Sequence, residues 1–599
     1  MKQIYFTIFV FVAFTYSVHS QGVPGDTDTI TNECQKISDY IETGTDYLNY
    51  SDVKACYDSI PFNKTKAVQT IETIKELLKG FYAFLDQAKD EPKPGYTFTP
   101  IDLITELDLF LNRDYSYEYE FVYDIGNLID ELRDGHTTFI SKNFSYYFYQ
   151  GFSMYSVIRP DGTQQIKVFD DTIDPSTIDC QVTHIDGLPA IDVITEFARN
   201  NLSYSRDLNV RFNTALASLG FGNRDFIVYG QDFSLRTKLP TVPTISYTLN
   251  CSDKIFNITR EWIVPATSST EFYPIFTKYK SSYINETSVG NASLIFDAVF
   301  SRFYTLQDFG VVLMSTESTA DLNGDETVRF LSDIVVGFKL FADKGITKIV
   351  LDFSNNHGGT VIVTDYIIKL LFPNINIFPE DIKVTDVSTA FINEISNANA
   401  VGNLFNYRSY TSTITNNSFN NVDEFIGNNT YTRGGAQVKF TTKAFRNDSL
   451  DFQILPVPPK FPWTEENMVI LTNGACFSSC ANLVQRLAEA NVPTVSVGGF
   501  PNTKFSFASC SGGTIRDSDT IRDTLSLYPN LNNLASRLTL SQDLTLRFTC
   551  AEVYSINNPD EVMDFSFRQA DYQLYYDEQS ARDPSSLWLQ AAQYIKKQS

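Results

Sequence analysis

Two adjacent serines, Ser478 and Ser479, stand between Cys476 and Cys480 in the stretch LTNGACFSSCANLVQRL, where an apolar run ends and a helical pattern begins. A strand, a tight turn of small residues and a helix leave unpaired N–H groups and the positive end of the helix dipole at the turn, a place that stabilises a developing oxyanion. Either serine fits a nucleophile there; the plain alternative is an N-cap, a common duty for serine. The stretch LDFSNNHGG repeats the pattern, with Gly358 and Gly359 able to bring a backbone N–H close to a ligand. Its plain alternative is a strand–helix connection that needs positive φ.

A serine nucleophile needs a base, and histidines are scarce. His19 lies in the N-terminal apolar stretch, which leaves His136, His184 and His357. His184 sits in the strand-like QVTHIDG, where a surface or hydrogen-bonded role is expected. His136 follows Asp134 and Gly135 at a helix-to-strand turn, a place that presents side chains to clefts, and its ordinary pKa suits a base near neutrality. His357 lies in the glycine turn. Metal and cofactor chemistry finds no support: DLNGDE begins like a calcium loop but has Glu326 where the turn glycine belongs and Ser332 at the bidentate position, and Cys476-x3-Cys480 has no histidine nearby for zinc.

These residues need a scaffold, and 599 residues predict two or three domains of ordinary globular composition, 43% hydrophobic and 20% charged. The net charge of −24 argues against nucleic acid or an anionic membrane as partner. Lys2, the apolar stretch from Ile4 to Tyr16 and the small residues Ser17 and Ser20 predict a signal peptide over 1–20, and no later stretch has the length and apolarity of a membrane span. A secreted, extracellular protein is expected. Eleven Asn-x-Ser/Thr sequons, at Asn49, Asn63, Asn143, Asn201, Asn250, Asn257, Asn285, Asn291, Asn416, Asn428 and Asn447, fit that route. The eight cysteines form an even set, expected in disulfides: Cys34 with Cys56, Cys180 with Cys251, and Cys476 and Cys480 with Cys510 or Cys550.

Apolar positions Val68, Ile71, Ile74, Leu78, Phe81 and Leu85 predict a helix over 66–88, and Phe121, Ile125, Leu128, Ile129 and Leu132 a second one ending at RDGHTTF. Residues 21–145 are therefore read as mainly helical. Short alternating runs with Pro-Asp-Gly and Asp-Gly turns make 146–270 a small β-rich domain. Residues 271–599 hold an α/β core: FGVVLMS, ITKIVLDF, NMVILT and PTVSVGG read as strands, with helices over 327–344, at TVIVTDYIIKLLF and at SSCANLVQRLAEAN. The Asn/Thr-rich stretch 400–450 reads as an exposed, glycosylated insertion.

Taken in order, LRDGHTTF, IVLDFSNNHGG and ILTNGACFSSCANLVQRL…VSVGGFP resemble the tail-specific (C-terminal-processing) serine peptidases, above all the branch containing the chlamydial protease-like activity factor; FRQADYQLYYDEQSARDPSSLWLQAA also looks like that branch. The resemblance implies a crotonase/ClpP-like ββα-spiral core with a PDZ-like domain inserted at 146–270. It also implies a secreted serine endopeptidase acting on peptide or protein substrates without a cofactor, and leaves a homodimer open. Ser478 matches the nucleophile, His136 the base, and the N–H groups of Ser479 and of Gly358 or Gly359 the oxyanion hole. Classical members use a lysine after the nucleophile helix, which makes Lys504 the alternative base. A glutamate downstream should orient the histidine, with Glu552 the first choice and Glu561 the next. Ser354 replaces the family's arginine, His357 precedes the glycines and Phe477 is bulky for the turn. Two rival readings are a non-catalytic binding protein of the same fold and, from the aromatic content, a carbohydrate binder.

Overall fold

The computed structural model describes residues 32–222, 225–252, 254–266, 283–320, 322–398, 400, 402–446 and 460–595. The expected signal peptide, His19 and Asn447 lie outside the described residues.

A nine-stranded sheet carries both turns singled out above. Its order runs Ile284–Asn285, Ser288–Val289, Ala292–Asp297, Ser301–Leu306, Phe309–Met314, Ile349–Asp352, Met468–Thr472, Thr494–Val497 and Tyr572–Leu574. The first five strands pair antiparallel, and from Phe309–Met314 onward every pair is parallel. Parallel neighbours need crossovers, supplied here by the helices Gly324–Asp343, Val361–Leu371 and Ser479–Glu489. The central strands are buried on both faces, which explains their unbroken apolar runs. Met468 and Ile470 face a layer with Phe338, Phe341, Leu483 and Leu487, while Val469 and Leu471 face a layer with Phe221, Leu587 and Trp588.

Within 21–145, read as mainly helical, the described residues carry the helices Lys64–Phe81, Leu103–Phe110 and Glu118–Asp130 among others. The first of these ends at Phe81, short of the expected 88, and Val68 faces solvent on it. The alternating runs that follow form a sheet ordered Lys254–Glu261, Thr244–Cys251, Gln181–Ile185, Gln164–Asp171 and Phe152–Ile158, accompanied by the helix Ala190–Asn201. Its buried residues share one core with the N-terminal helices and with Leu544, Leu546 and Phe548.

One smaller pairing joins distant stretches of chain. Thr138–Ser141, directly after His136, pairs antiparallel with Leu544–Thr549, which ties the histidine turn to the C-terminal region. The described part of 400–450 departs from its expectation as an exposed insertion: Leu404, Phe405, Tyr410, Phe419, Phe425 and Phe440 are buried in the main core, while Ile414 and one side of the hairpin Asn429–Arg433 and Ala436–Phe440 face water. Widely spaced aromatics within a polar composition conceal such a segment from a composition-based reading.

Candidate active site

The parallel strands Ile349–Asp352 and Met468–Thr472 are neighbours, so the turns that follow them leave the same sheet end side by side. The turns are bonded to each other reciprocally. The Asn355 N–H donates to Asn473 Oδ1 (3.0 Å), Asn473 Nδ2 donates to Asn355 Oδ1 (2.7 Å), and the Phe477 N–H donates to the Asn356 carbonyl (3.0 Å).

The serine turn ends with Ser478 at φ +56 and ψ −124, capping the helix Ser479–Glu489. Positive φ in a residue with a Cβ costs about 1–3 kcal/mol and persists only where the surroundings enforce it. Here a bridge between Cys476 and Cys480 closes the turn, and the Ser478 N–H donates to the Cys510 carbonyl (2.9 Å). Ser478 makes no side-chain cap bond and is half-buried, whereas Ser479 is fully buried. The Ser479 hydroxyl donates to Glu317 Oε2 (3.2 Å), and its carbonyl accepts from Thr364 Oγ1 (3.2 Å). Its N–H, at the first turn of the helix, makes no hydrogen bond to a described residue.

Gly358, at φ +86, lies against this turn. A Cβ there would stand 2.5 Å from the Phe477 carbonyl, 2.7 Å from Ser478 Cβ and 3.0 Å from the Ser479 nitrogen, so only glycine permits the approach. The Gly358 N–H donates to Asn356 Oδ1 (2.8 Å), and Asn356 Nδ2 donates to Glu317 Oε1 (2.8 Å). Burial pushes the Glu317 carboxyl up to about 7, against the opposing effect of these two donors. His357 packs against the rings of Phe477 and Tyr229, and burial lowers its pKa to about 4.

The histidine turn comes to the serine turn through one residue. The Cys510 carbonyl accepts from the Ser478 N–H, and its Sγ accepts from the Gly135 N–H (3.1 Å) beside His136. His136 is fully buried, and burial lowers its pKa to about 4, partly offset by the negative charge of Asp134. The Asp134 Oδ1 accepts from the His136 backbone N–H (3.0 Å) and lies 3.9 Å from Nδ1 of the ring. Its Oδ2 accepts from Thr137 (2.7 Å), Tyr82 (3.2 Å) and Thr549 (3.2 Å), so three hydroxyls fix it.

Several expected residues lie elsewhere. Glu552 is buried, but both its oxygens accept from Arg433 (3.2 and 2.9 Å) and Oε2 also from the Tyr554 hydroxyl (2.5 Å). The charged groups that act on His136 are Asp134, Arg547 and Arg206, with Glu552 not among them. Glu561 pairs with Arg568. Lys504 is exposed on its loop, without the burial that would make a lysine a base near neutrality. His184 is exposed beside Thr183, as expected.

Three disulfides are present: Cys34–Cys56 and Cys180–Cys251 as expected, and Cys476–Cys480, which corrects the expected pairing with Cys510 or Cys550. The last two are buried free thiols; the tight turn through Ser478 and the start of the helix bring Cys476 and Cys480 together, and Cys510 donates instead to the Tyr204 carbonyl (2.7 Å). None of the ten described sequon asparagines is buried. No described helix is long and apolar enough to cross a membrane.

Glu317, Asn356 and Cys510 escaped the sequence reading as site residues. Glu317 carried a faint signal, a lone carboxylate directly after a buried strand; Cys510 carried none.

No family model matches the chain. It is 24% identical over 478 residues to the peptidase S41 family protein phomP1' of Diaporthe leptostromiformis, covering 69% of this chain and 71% of that one, and 24% identical over 477 residues to phomP1 of the same organism. The fold matches that of mature CPAF, with a TM-score of 0.55 at 14% identity over 88% of this chain and 96% of that one. The CPAF complex with lactacystin matches with a TM-score of 0.54, at 14% identity, over 88% and 97%. Over most of its length the chain is therefore similar to peptidase S41 family proteins, and it shares the fold of CPAF.

Proposed function

We propose that the chain is a secreted serine endopeptidase in which Ser478 attacks a peptide carbonyl. One observation carries this reading: of two adjacent serines, Ser478 alone is half-exposed and held at positive φ on a helix N-terminus, while the Ser479 hydroxyl is spent on buried Glu317. Strain of this kind at a helix start supports a nucleophile over a side-chain cap, because a capping hydroxyl bonds an N–H of its own helix and the Ser478 hydroxyl does not.

In this reading His136 takes the Ser478 proton and returns it to the leaving amine. Burial lowers its pKa to about 4, below the ordinary value expected of it, so the imidazole is neutral but a weaker base in the free protein, and Asp134, not Glu552, is the carboxylate beside its ring. The Ser479 N–H and the Gly358–Gly359 turn stabilise the oxyanion. Residues 146–270, with their six-stranded sheet and helices, act as a PDZ-like domain that receives an extended peptide by strand addition. The nine-stranded sheet and its crossovers serve as the crotonase-like core. The bridges and the exposed sequon asparagines support an oxidising, extracellular setting.

A non-catalytic binding protein of the same fold is favoured by one observation: the Gly358 N–H donates inward to Asn356. A fluorophosphonate probe on the mature, folded protein separates the two. Labelling that disappears in Ser478→Ala, together with casein hydrolysis, supports the peptidase; a wild type that neither labels nor cleaves overturns it.

A further inference from the structure

Glu317 is a fully buried carboxyl outside the motifs of the serine, the glycines and the histidine, and it touches both halves of the proposed oxyanion site. Its Oε2 accepts from the Ser479 hydroxyl, and its Oε1 from Asn356 Nδ2. Asn356 is then fully used: Nδ2 also donates to the Met314 carbonyl (3.2 Å), and Oδ1 accepts the Gly358 N–H. The backbone repeats the clamp. The Glu317 N–H donates to the Gly358 carbonyl (3.2 Å), which also accepts from Thr316 Oγ1 (2.6 Å), and the Glu317 carbonyl accepts from the Thr360 N–H (3.0 Å). Gly359 lies so close to this segment that a Cβ on it would meet the Ser318 nitrogen at 2.1 Å.

We propose that Glu317 is a positioning residue for catalysis: by holding Ser479 with one oxygen and Asn356 with the other, it sets the spacing between the Ser479 N–H and the Gly358–Gly359 turn, which together form the oxyanion site. This rests on the peptidase reading above. Because Asn356 can present either face of its amide, an acceptor at Glu317 decides that Nδ2 points to it and Oδ1 to Gly358. A carboxylate buried without a charged partner is costly, and here two neutral donors offset that cost. Burial pushes this carboxyl up to about 7, so it is held by the same packing that holds the two turns.

The test measures kcat, KM and the rate of fluorophosphonate labelling for the mature protein and for Glu317→Ala, Glu317→Gln and Ser479→Ala, with thermal melts. Lys75→Gln, which breaks the pairs with Glu72 and Asp108 on the N-terminal helices away from the site, serves as a purely structural control. Glu317→Ala is expected to lower kcat and the labelling rate about 30-fold with KM within about twofold, less than the roughly 10²–10³ seen for outright loss of an oxyanion donor because the donor is displaced and not removed. Glu317→Gln, which still accepts from Asn356, should recover at least half of that loss on a logarithmic scale. Ser479→Ala should cost about fivefold in kcat. The control should lower the melting temperature and leave kcat unchanged. If Glu317→Ala folds and labels at the wild-type rate, the proposal is overturned; if it does not fold, wild-type kcat in both Glu317→Gln and Ser479→Ala overturns it. A wild type that does not label fails the peptidase reading itself, a distinct result that removes the basis of this one.

Discussion

The two strand–turn–helix connections at the site start from adjacent parallel strands and end in helices of eleven residues each, yet they place their strain differently. In the turn after Asp352, positive φ falls on Asn355 (+58) and Gly358 (+86), residue types that adopt it readily. In the turn after Thr472 it falls on Gly474 (+78) and then on Ser478 (+56). A connection alone does not require a serine there. The first turn is built for close approach, since its glycine has no Cβ to collide with Phe477 and Ser478; the second is built to project a side chain from a strained backbone. Each makes sense only against the other.

The largest expected effect breaks the second turn. Ser478→Ala should abolish casein hydrolysis and probe labelling, a loss of at least about 10³-fold. Ser478→Gly should do the same while raising stability by about 1 kcal/mol, read from chemical denaturation, because glycine relieves the positive φ. A destabilised glycine variant would show that the strain argument is wrong. Nearly as large, His136→Ala should lower kcat/KM about 10²–10⁴-fold with the fold retained.

Breaking the first turn comes next. Gly358→Ala forces a Cβ into the Phe477 carbonyl at φ +86, and should cost about 2 kcal/mol of stability and about tenfold in kcat. Unchanged kcat in a folded variant would mean that the glycine turn serves the connection alone.

A pH series sharpens the contrast between the buried groups. The folded pKa of His136, about 4, lies below its ordinary 6.5, so the unfolded chain binds more protons between those values and stability falls as the pH drops through that window. The contribution is roughly 3 kcal/mol, fully present above 6.5 and lost by about pH 4. Glu317 acts oppositely: its raised pKa, about 7 against an ordinary 4.5, favours the fold at low pH and loses that contribution as the pH rises through 7. Denaturation curves of His136→Gln should therefore show a flatter acid limb than the wild type between pH 6.5 and 4, and an equally steep one would refute the assignment. The smallest effect belongs to Lys504→Ala, expected to leave kcat/KM within about twofold because that side chain is exposed.

Local pattern made the strand and helix order of the core legible, because buried parallel strands demand continuous apolar runs such as IVLDF and MVILT, and crossover helices demand a helical apolar period. It also exposed the two turns, through small residues at their ends. The disulfide at Cys476 was misread because spacing along the chain does not reveal that four residues of turn and helix start bring two sulfurs together. Glu552 was misread because its buried partner, Arg433, comes from a segment 119 residues away. The inward packing of 400–450 was hidden in the same way, by aromatics too sparse to give a period.

What the sequence alone determined was therefore the set of chemically able residues, Ser478, Ser479, His136, Gly358 and Gly359, and the elements that carry them, since both follow from side-chain type and local backbone preference. What the tertiary structure decided was how those residues are placed. Ser479 turns inward because Glu317, 162 residues earlier, accepts its hydrogen bond, and Ser478 is left outward. The histidine turn is joined to the serine turn because Thr138–Ser141 pairs with a strand some four hundred residues later and Cys510 bonds both Gly135 and Ser478. Such contacts are enforced by packing across the whole core, and no local spacing encodes them.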